Sequence, residues 1–214
     1  MSRLTDMIYQ RSKILEQFSK DAPALKYDKL ELQLFEPSAG WIDARFFVND
    51  KETDTFDISD VYIPFEDIKI WLEEVVQHRF ECTPTGLNID SEGYNVMMYY
   101  EPLFFDQDQF MLNDAPLCGL FYVYNSGRKK ITTAAYCKTK QLVELFYKTI
   151  LTYAETMLKK DPSFADDWIL PEADCNIEDE DVAIKETFKR MFVSEDIEKF
   201  LSDSNGEKRF MKIR

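Results

Sequence analysis

Apolar positions change their period along the chain, and each change marks an element. Residues 3–19 set Leu4, Met7, Ile8, Leu15 and Phe18 near helical spacing, with Arg11 interrupting the stripe, which predicts an amphipathic first helix. In LKYDKLELQLF (25–35) the period falls to two, and Leu30, Leu32 and Leu34 share one side of a strand. EPSAG turns the chain and WIDARFFV (41–48) reads as the returning strand. NDKETD reads as a polar loop, after which TFDISDVYI (55–63), with Phe56 and Ile58 in step, completes a three-stranded meander.

The period then returns to that of a helix. Pro64 suits a first turn because its missing N–H is not needed there, and Glu66 and Asp67 are acids where the helix dipole favours them. Phe65, Ile68, Leu72, Val75 and Val76 line one face, which predicts a helix over 65–78, and Pro84 stops any continuation. TGLNID and YNVMMYY form one hairpin around Ser-Glu-Gly, and CGLFYVY and KKITTAAY a second around NSGR. From Thr139, read as an N-cap, Leu142, Phe146, Ile150, Tyr153 and Met157 mark a long amphipathic helix over 139–160. Beyond Asp161-Pro162 helices continue through Val182, Phe188, Met191, Phe192, Ile197, Phe200 and Leu201, with Ser194 as an N-cap. The expectation is an α+β fold: a mostly antiparallel sheet of hairpins and meander, flanked by amphipathic helices, in a core domain of residues 1–160. Residues 161–214 form a helical extension docked on that core.

Charge adds what periodicity does not. Forty acids against 26 bases give the 214 residues a net charge of −14, and residues 161–207 alone hold 15 acids and 4 bases. The sign reverses only at the end, with Lys208, Arg209, Lys212 and Arg214. Such a field repels phosphate backbones and anionic lipid, so neither nucleic acid nor a membrane surface is the expected partner; a basic protein is. Arg128-Lys129-Lys130, the one basic triplet, reads as a solvated hairpin tip. The longest strictly apolar run, Leu120–Tyr124, is too short to cross a bilayer, and the first residues lack the apolar core of a secretory signal, so a cytoplasmic protein is expected. Hydrophobic residues make up 45% of the chain, enough for a packed core, and Cys82, Cys118, Cys137 and Cys175, with no CxxC among them, read as buried thiols.

Few segments look chemical. Asp90, Glu92 and Gly93 sit between apolar runs, but a calcium loop counted from Asp90 has Tyr94 at its fifth position, and one counted from Asp50 through Glu52 and Asp54 has Thr55 at its sixth. The first stretch therefore reads as a turn, with Gly93 supplying a positive φ. Asp106 and Asp108, two apart in FFDQDQF, have the spacing of an ion-holding pair without a glycine run to cradle a phosphate, and read as a solvated loop. His78 is the single histidine and falls at a helix end, where a donating side chain suits the dipole. GxSxG, HExxH, GxxxxGK[ST] and GxGxxG are all missing, so no cofactor or metal is expected. The aromatics Tyr99, Tyr100, Phe104, Phe105 and Phe110, with Met97, Met98 and Met111, read as half-buried core.

The order helix, three strands, helix, hairpins and closing helix over residues 1–160 resembles the plan of type III secretion chaperones. PFEDIKIWLEEVV followed by the short hairpin LNIDSEGYNV resembles a piece that recurs in small acidic α+β immunity proteins of bacterial toxin systems. The segment 161–214 fits neither. Both resemblances imply binding to another protein without turnover. The sequence thus favours a non-enzymatic binding protein whose acidic surface, from Glu172, Asp174, Glu178, Asp179, Glu180 and Asp181 with Asp106 and Asp108, neutralises a basic partner. The alternative is a carboxylate-dependent enzyme acting on a small molecule or sugar, with a divalent cation at Asp106 and Asp108.

Overall fold

The computed structural model describes residues 3–21, 26–79, 83–103, 118–173, 177 and 179–203. Helix α1 (Arg3–Asp21) is followed by strands β1 (Leu30–Leu34), β2 (Trp41–Val48) and β3 (Lys51–Ser59), helix α2 (Phe65–Gln77), and strands β4 (Thr85–Asp90), β5 (Asn95–Pro102), β6 (Cys118–Asn125) and β7 (Lys130–Lys138). Helices α3 (Thr139–Lys160), α4 (Ser163–Trp168), α5 (Glu180–Phe192) and α6 (Glu195–Ser202) complete the chain, with a 3-10 turn at Leu170–Glu172. The strands form two antiparallel sheets, β1-β2-β3 and β4-β5-β6-β7. This is the expected α+β class.

The meander differs from expectation at both ends of β3. Asn49 and Asp50 take left-handed backbone (φ 52° and 65°), which turns the chain in two residues and leaves Lys51 onward in the strand instead of a loop. At the other end β3 stops at Ser59 because Ser59 pairs with Trp41, the first residue of β2, and no partner strand extends past it. Val61 and Tyr62, expected in the strand, lie in the β3–α2 connection.

One hydrophobic cluster joins the elements. It includes Leu30, Phe46, Phe56 and Ile58 from the first sheet and Val96, Met98, Tyr100, Phe121 and Cys137 from the second, closed by α2 and α3 through Trp71, Leu72, Phe146 and Ile150. Trp71 meets Phe146 edge-on, with ring centroids 5.3 Å apart. Residues beyond 161 share this same cluster: Phe164, Trp168, Met191, Phe192, Ile197 and Phe200 are all members, and Phe192 lies 5.1 Å from Phe65. Val182, one of the apolar residues that predict a helix here, is exposed in the first turn of α5, and Ala183 and Thr187 take the inner positions. Ser194 caps α6 as expected, accepting from the Ile197 N–H. Thr139 does not cap α3: Lys138 holds that position, and the buried Thr139 hydroxyl shares a 2.6 Å hydrogen bond with Tyr100, whose own buried hydroxyl needs a partner.

β6 is buried along its whole length, which is why its sequence shows no alternation. Leu120, Tyr122 and Tyr124 lie on the face away from the main cluster, and α1 crosses that face. Arg11 makes a two-pronged pair with Glu101 of β5 (2.8 and 2.5 Å), and Gln10 bonds both the Lys129 carbonyl and the Ile131 N–H of the next hairpin. Arg11 interrupts the apolar stripe because its partner is a carboxylate on the sheet. Burial pushes the Tyr122 hydroxyl up to about 12, so it stays protonated beneath the helix.

The sheets meet at β3 and β7, and bulges on both strands set the junction. Thr53 is the extra residue of β3 and Thr132 that of β7. The hydroxyls of Thr53 and Thr133 lie 2.8 Å apart across the junction. Beside them the buried Asp54 carboxylate takes hydrogen bonds from Thr132 Oγ1 (2.5 Å), the Thr55 N–H (3.0 Å) and Arg128 Nη1 (2.8 Å). Arg128 is exposed at the β6–β7 turn, as expected of a solvated hairpin tip, but its guanidinium also reaches 74 residues back to pair with Asp54, because a buried carboxylate requires a counter-charge.

Candidate protein-binding cleft

Four elements converge on one cleft of about 390 Å³, a volume in the usual range of ligand clefts. The first is the connection from β3 to α2. Asp60 N–H bonds the Gly40 carbonyl and Val61 N–H bonds Ser59 Oγ, so the chain leaves the sheet abruptly, with Val61 64% and Tyr62 51% exposed. The second is the start of α2, which brings Glu66 and Asp67 in its first turn and Ile70, 43% exposed, on the face opposite the buried stripe. The third is the end of β4, residues Asn88, Ile89 and Asp90, and the fourth is Glu172 in the 3-10 turn. Large apolar side chains are thus grouped with four carboxylates.

Two cations meet beside the cleft, Arg190 of α5 and Lys69 of α2, whose Nζ donates to the Arg190 carbonyl. Arg190 of α5 pairs with Glu66 and donates to the Glu172 carbonyl, which leaves the exposed carboxylates of Asp67, Asp90 and Glu172 to set the sign of the field. Asp90 Oδ1 accepts from the Glu92 N–H at 2.9 Å, and Gly93 has φ 124°, so the LNIDSEGYNV segment makes a hairpin turn. That turn is stapled to β3: Ser91 Oγ donates to the Asp57 carbonyl at 2.7 Å, and Ser59 Oγ bonds the Glu92 carboxylate. Among the described residues no group of three or more His, Cys, Asp or Glu side chains is arranged to hold a metal ion. A wider groove along α3, lined by Leu34, Thr152 and Tyr153, lacks the same charge excess because Glu36 pairs with Lys160 and Lys148 with Glu144.

Of the acidic residues singled out from sequence, Glu172 lines the cleft. Asp179, Glu180 and Asp181 are exposed at the start of α5, and Asp179 serves as its cap by accepting from the Val182 N–H. Arg190, which touches Glu172, is in the last turn of the same helix, so about 15 Å of α5 separates the two groups. Asp106, Asp108, Asp174 and Glu178 lie outside the described residues, as do Phe104, Phe105, Phe110 and Met111. His78 is the C-cap residue of α2, with its backbone N–H on the Glu74 carbonyl.

Sequence reasoning missed Val61, Tyr62, Ile70, Asp67 and Asp90 as a group. The signal for Ile70 was present, since it is apolar and off the stripe of Phe65, Ile68 and Leu72. Asp54 was also legible, being in step with Phe56 and Ile58 and so inward-facing. Burial raises the Asp54 carboxyl above its ordinary value despite the opposing pull of Thr132 and Arg128.

No family model matches this chain, and no curated protein or solved structure matches it at a significant level. Among the described residues no helix is long and apolar enough to cross a membrane.

Proposed function

We propose that this protein is a non-enzymatic binding module, immunity-like or chaperone-like, that holds a basic protein in the cytoplasm and neutralises or escorts it. The observation that supports this reading is the grouping of exposed Val61, Tyr62 and Ile70 with Asp67, Asp90 and Glu172 around one cleft. Carboxylates at the rim orient and accelerate the approach of a cationic surface, while an aromatic such as Tyr62 supplies an anchor that charge alone lacks. The excess of acids over bases across the whole chain acts in the same direction.

The test is to recover proteins bound to the immobilised full-length chain at low salt, purify those identified, and titrate each against the wild type and an Asp67→Lys, Asp90→Lys variant. The expected result is a basic partner whose affinity falls at least tenfold between 50 and 300 mM salt and at least tenfold in the variant. Binding indifferent both to salt and to the charge reversals would overturn the reading.

A further inference from the structure

β4 is the terminal strand of its sheet, and the direction of its free backbone groups follows from the ladder. The Ser91 N–H donates to the Tyr94 carbonyl, which makes 91 and 94 a bonded pair. Alternation in an antiparallel ladder then gives the bonds to β5 to Ile89, Leu87 and Thr85, opposite Val96, Met98 and Tyr100. Gly86, Asn88 and Asp90 are left with N–H and C=O groups aimed away from the sheet, and among the described residues none of these backbone groups bonds another backbone group. The opposite edge is treated differently: Tyr136 of β7, which points outward by the same alternation, gives its N–H to Asp28 Oδ2 and accepts from the Asp28 N–H. The cleft, moreover, is lined by the consecutive residues Asn88, Ile89 and Asp90. Their side chains alternate between faces, so a cavity that touches all three runs along the strand edge.

We infer that the cleft takes an extended basic segment of the partner protein as an added strand on β4. This rests on the function proposed above. Outward groups of Asn88 and Asp90 supply main-chain hydrogen bonds, and the alternating side chains of the segment meet apolar positions at Val61, Tyr62 and Ile70 and carboxylates at Asp67, Asp90 and Glu172. A second copy of β4 is disfavoured as occupant because it would bring Asp90 and Asp67 of two chains of net charge −14 together.

The probe is a fluorescein-labelled octapeptide of alternating Lys and Val, titrated by anisotropy at 50 mM salt against the full-length protein. Asn88→Pro removes an outward donor without breaking a bond to β5, and proline is tolerated at such edge positions. The expected result is saturable binding, weakened at least tenfold by Asn88→Pro, less than threefold by Asn88→Ala, and at least tenfold when alternate peptide amides are N-methylated. On the wild type, slowed amide exchange at Asn88 and Asp90 with the peptide bound reports strand addition even should Asn88→Pro fail to fold. Equal binding by Asn88→Pro and by the methylated peptide, with loss in the Asp67→Lys, Asp90→Lys variant, overturns strand addition and leaves the basic-partner reading standing. No binding, or indifference to both kinds of change, overturns both. Dimerisation abolished by Asn88→Pro would assign the edge to a second copy and overturn the inference. So would slow exchange at the Asn88 and Asp90 amides of the peptide-free protein that is lost in the full-length Lys208→Gln, Arg209→Gln, Lys212→Gln variant, which would assign the edge to the chain's own basic end.

Discussion

Arg128→Ala removes the guanidinium that faces Asp54, and its cost follows from the geometry. The carboxylate side chain is fully buried, whereas Arg128 is 46% exposed and makes its bond at 2.8 Å. Breaking a fully buried pair costs about 3–5 kcal/mol and an exposed pair about 0.2–1 kcal/mol. Solvent screening on the arginine side places this pair between them, at about 1–2 kcal/mol, or roughly 3–6 °C in Tm for a domain of this size. The pH dependence has a definite sign. Burial already raises the folded-state carboxyl of Asp54, so this group's contribution to stability declines as pH rises through the window that opens at the unfolded value, about 4. Loss of Arg128 raises it further and widens that window upward. The deficit of the variant is therefore smaller at pH 4 than at pH 7, because the raised carboxyl is ionised to a lesser extent at the lower pH. Urea unfolding followed by tryptophan fluorescence at both pH values measures it, with Lys129→Ala as a neighbouring control and Arg128→Lys as the charge-retaining one. A deficit equal to that of Lys129→Ala, or one that grows as pH falls, refutes the reasoning.

Arg11→Ala should loosen α1 by about 1–2 kcal/mol, since it deletes a charge-assisted pair to Glu101; amide exchange within residues 3–21 should then quicken roughly 5- to 30-fold, read by mass spectrometry, and unchanged exchange would show that Gln10 and apolar packing suffice. Cys118 and Cys137 are buried, and burial pushes the Cys137 thiol well above its ordinary value. Both should resist Ellman's reagent at pH 8 until denaturant is added, which peptide mapping of the modified sites can check.

The regular elements were legible because their hydrophobic period answers to one buried face. Leu30 and Leu32 mark β1, Phe56 and Ile58 mark β3, and the Phe65, Ile68, Leu72, Val75 stripe gives α2 almost to the residue. Boundaries failed where a partner decides them. β3 ends at Ser59 because β2 begins at Trp41, a fact of register that the run DVYI does not carry. Thr139 has the composition of a cap but spends its hydroxyl on Tyr100, which lies 39 residues away in sequence. The ion pair of the exposed Arg128 was illegible for the same reason: its counter-charge is on another sheet.

The cleft was harder to read because it is made of exceptions to periodicity, drawn from four segments that span residues 61 to 172. Val61 and Tyr62 resemble strand residues and Ile70 an off-stripe apolar position, and each alone is an ordinary exposed side chain. The staple from Ser91 and Glu92 to β3, together with the packing of Leu87 and Ile89 in the same cluster as Ile68 and Leu72 of α2, brings the β4 edge beside them. For the strand addition proposed above, that staple has a consequence. It ties the β4–β5 turn to the end of β3, where the chain departs toward α2, and so fixes the separation between the edge backbone and the apolar rim. An edge strand held at a set distance from exposed apolar side chains is pre-organised, which lowers the ordering cost of taking up an extended segment. On the proposed reading its acidic rim also disfavours a like-charged copy of the chain, as edge strands require if they are to stay available without aggregating. In the strand addition proposed above, the carboxylates at Asp67 and Asp90 would act twice, drawing a basic segment in and keeping the strand from pairing with itself.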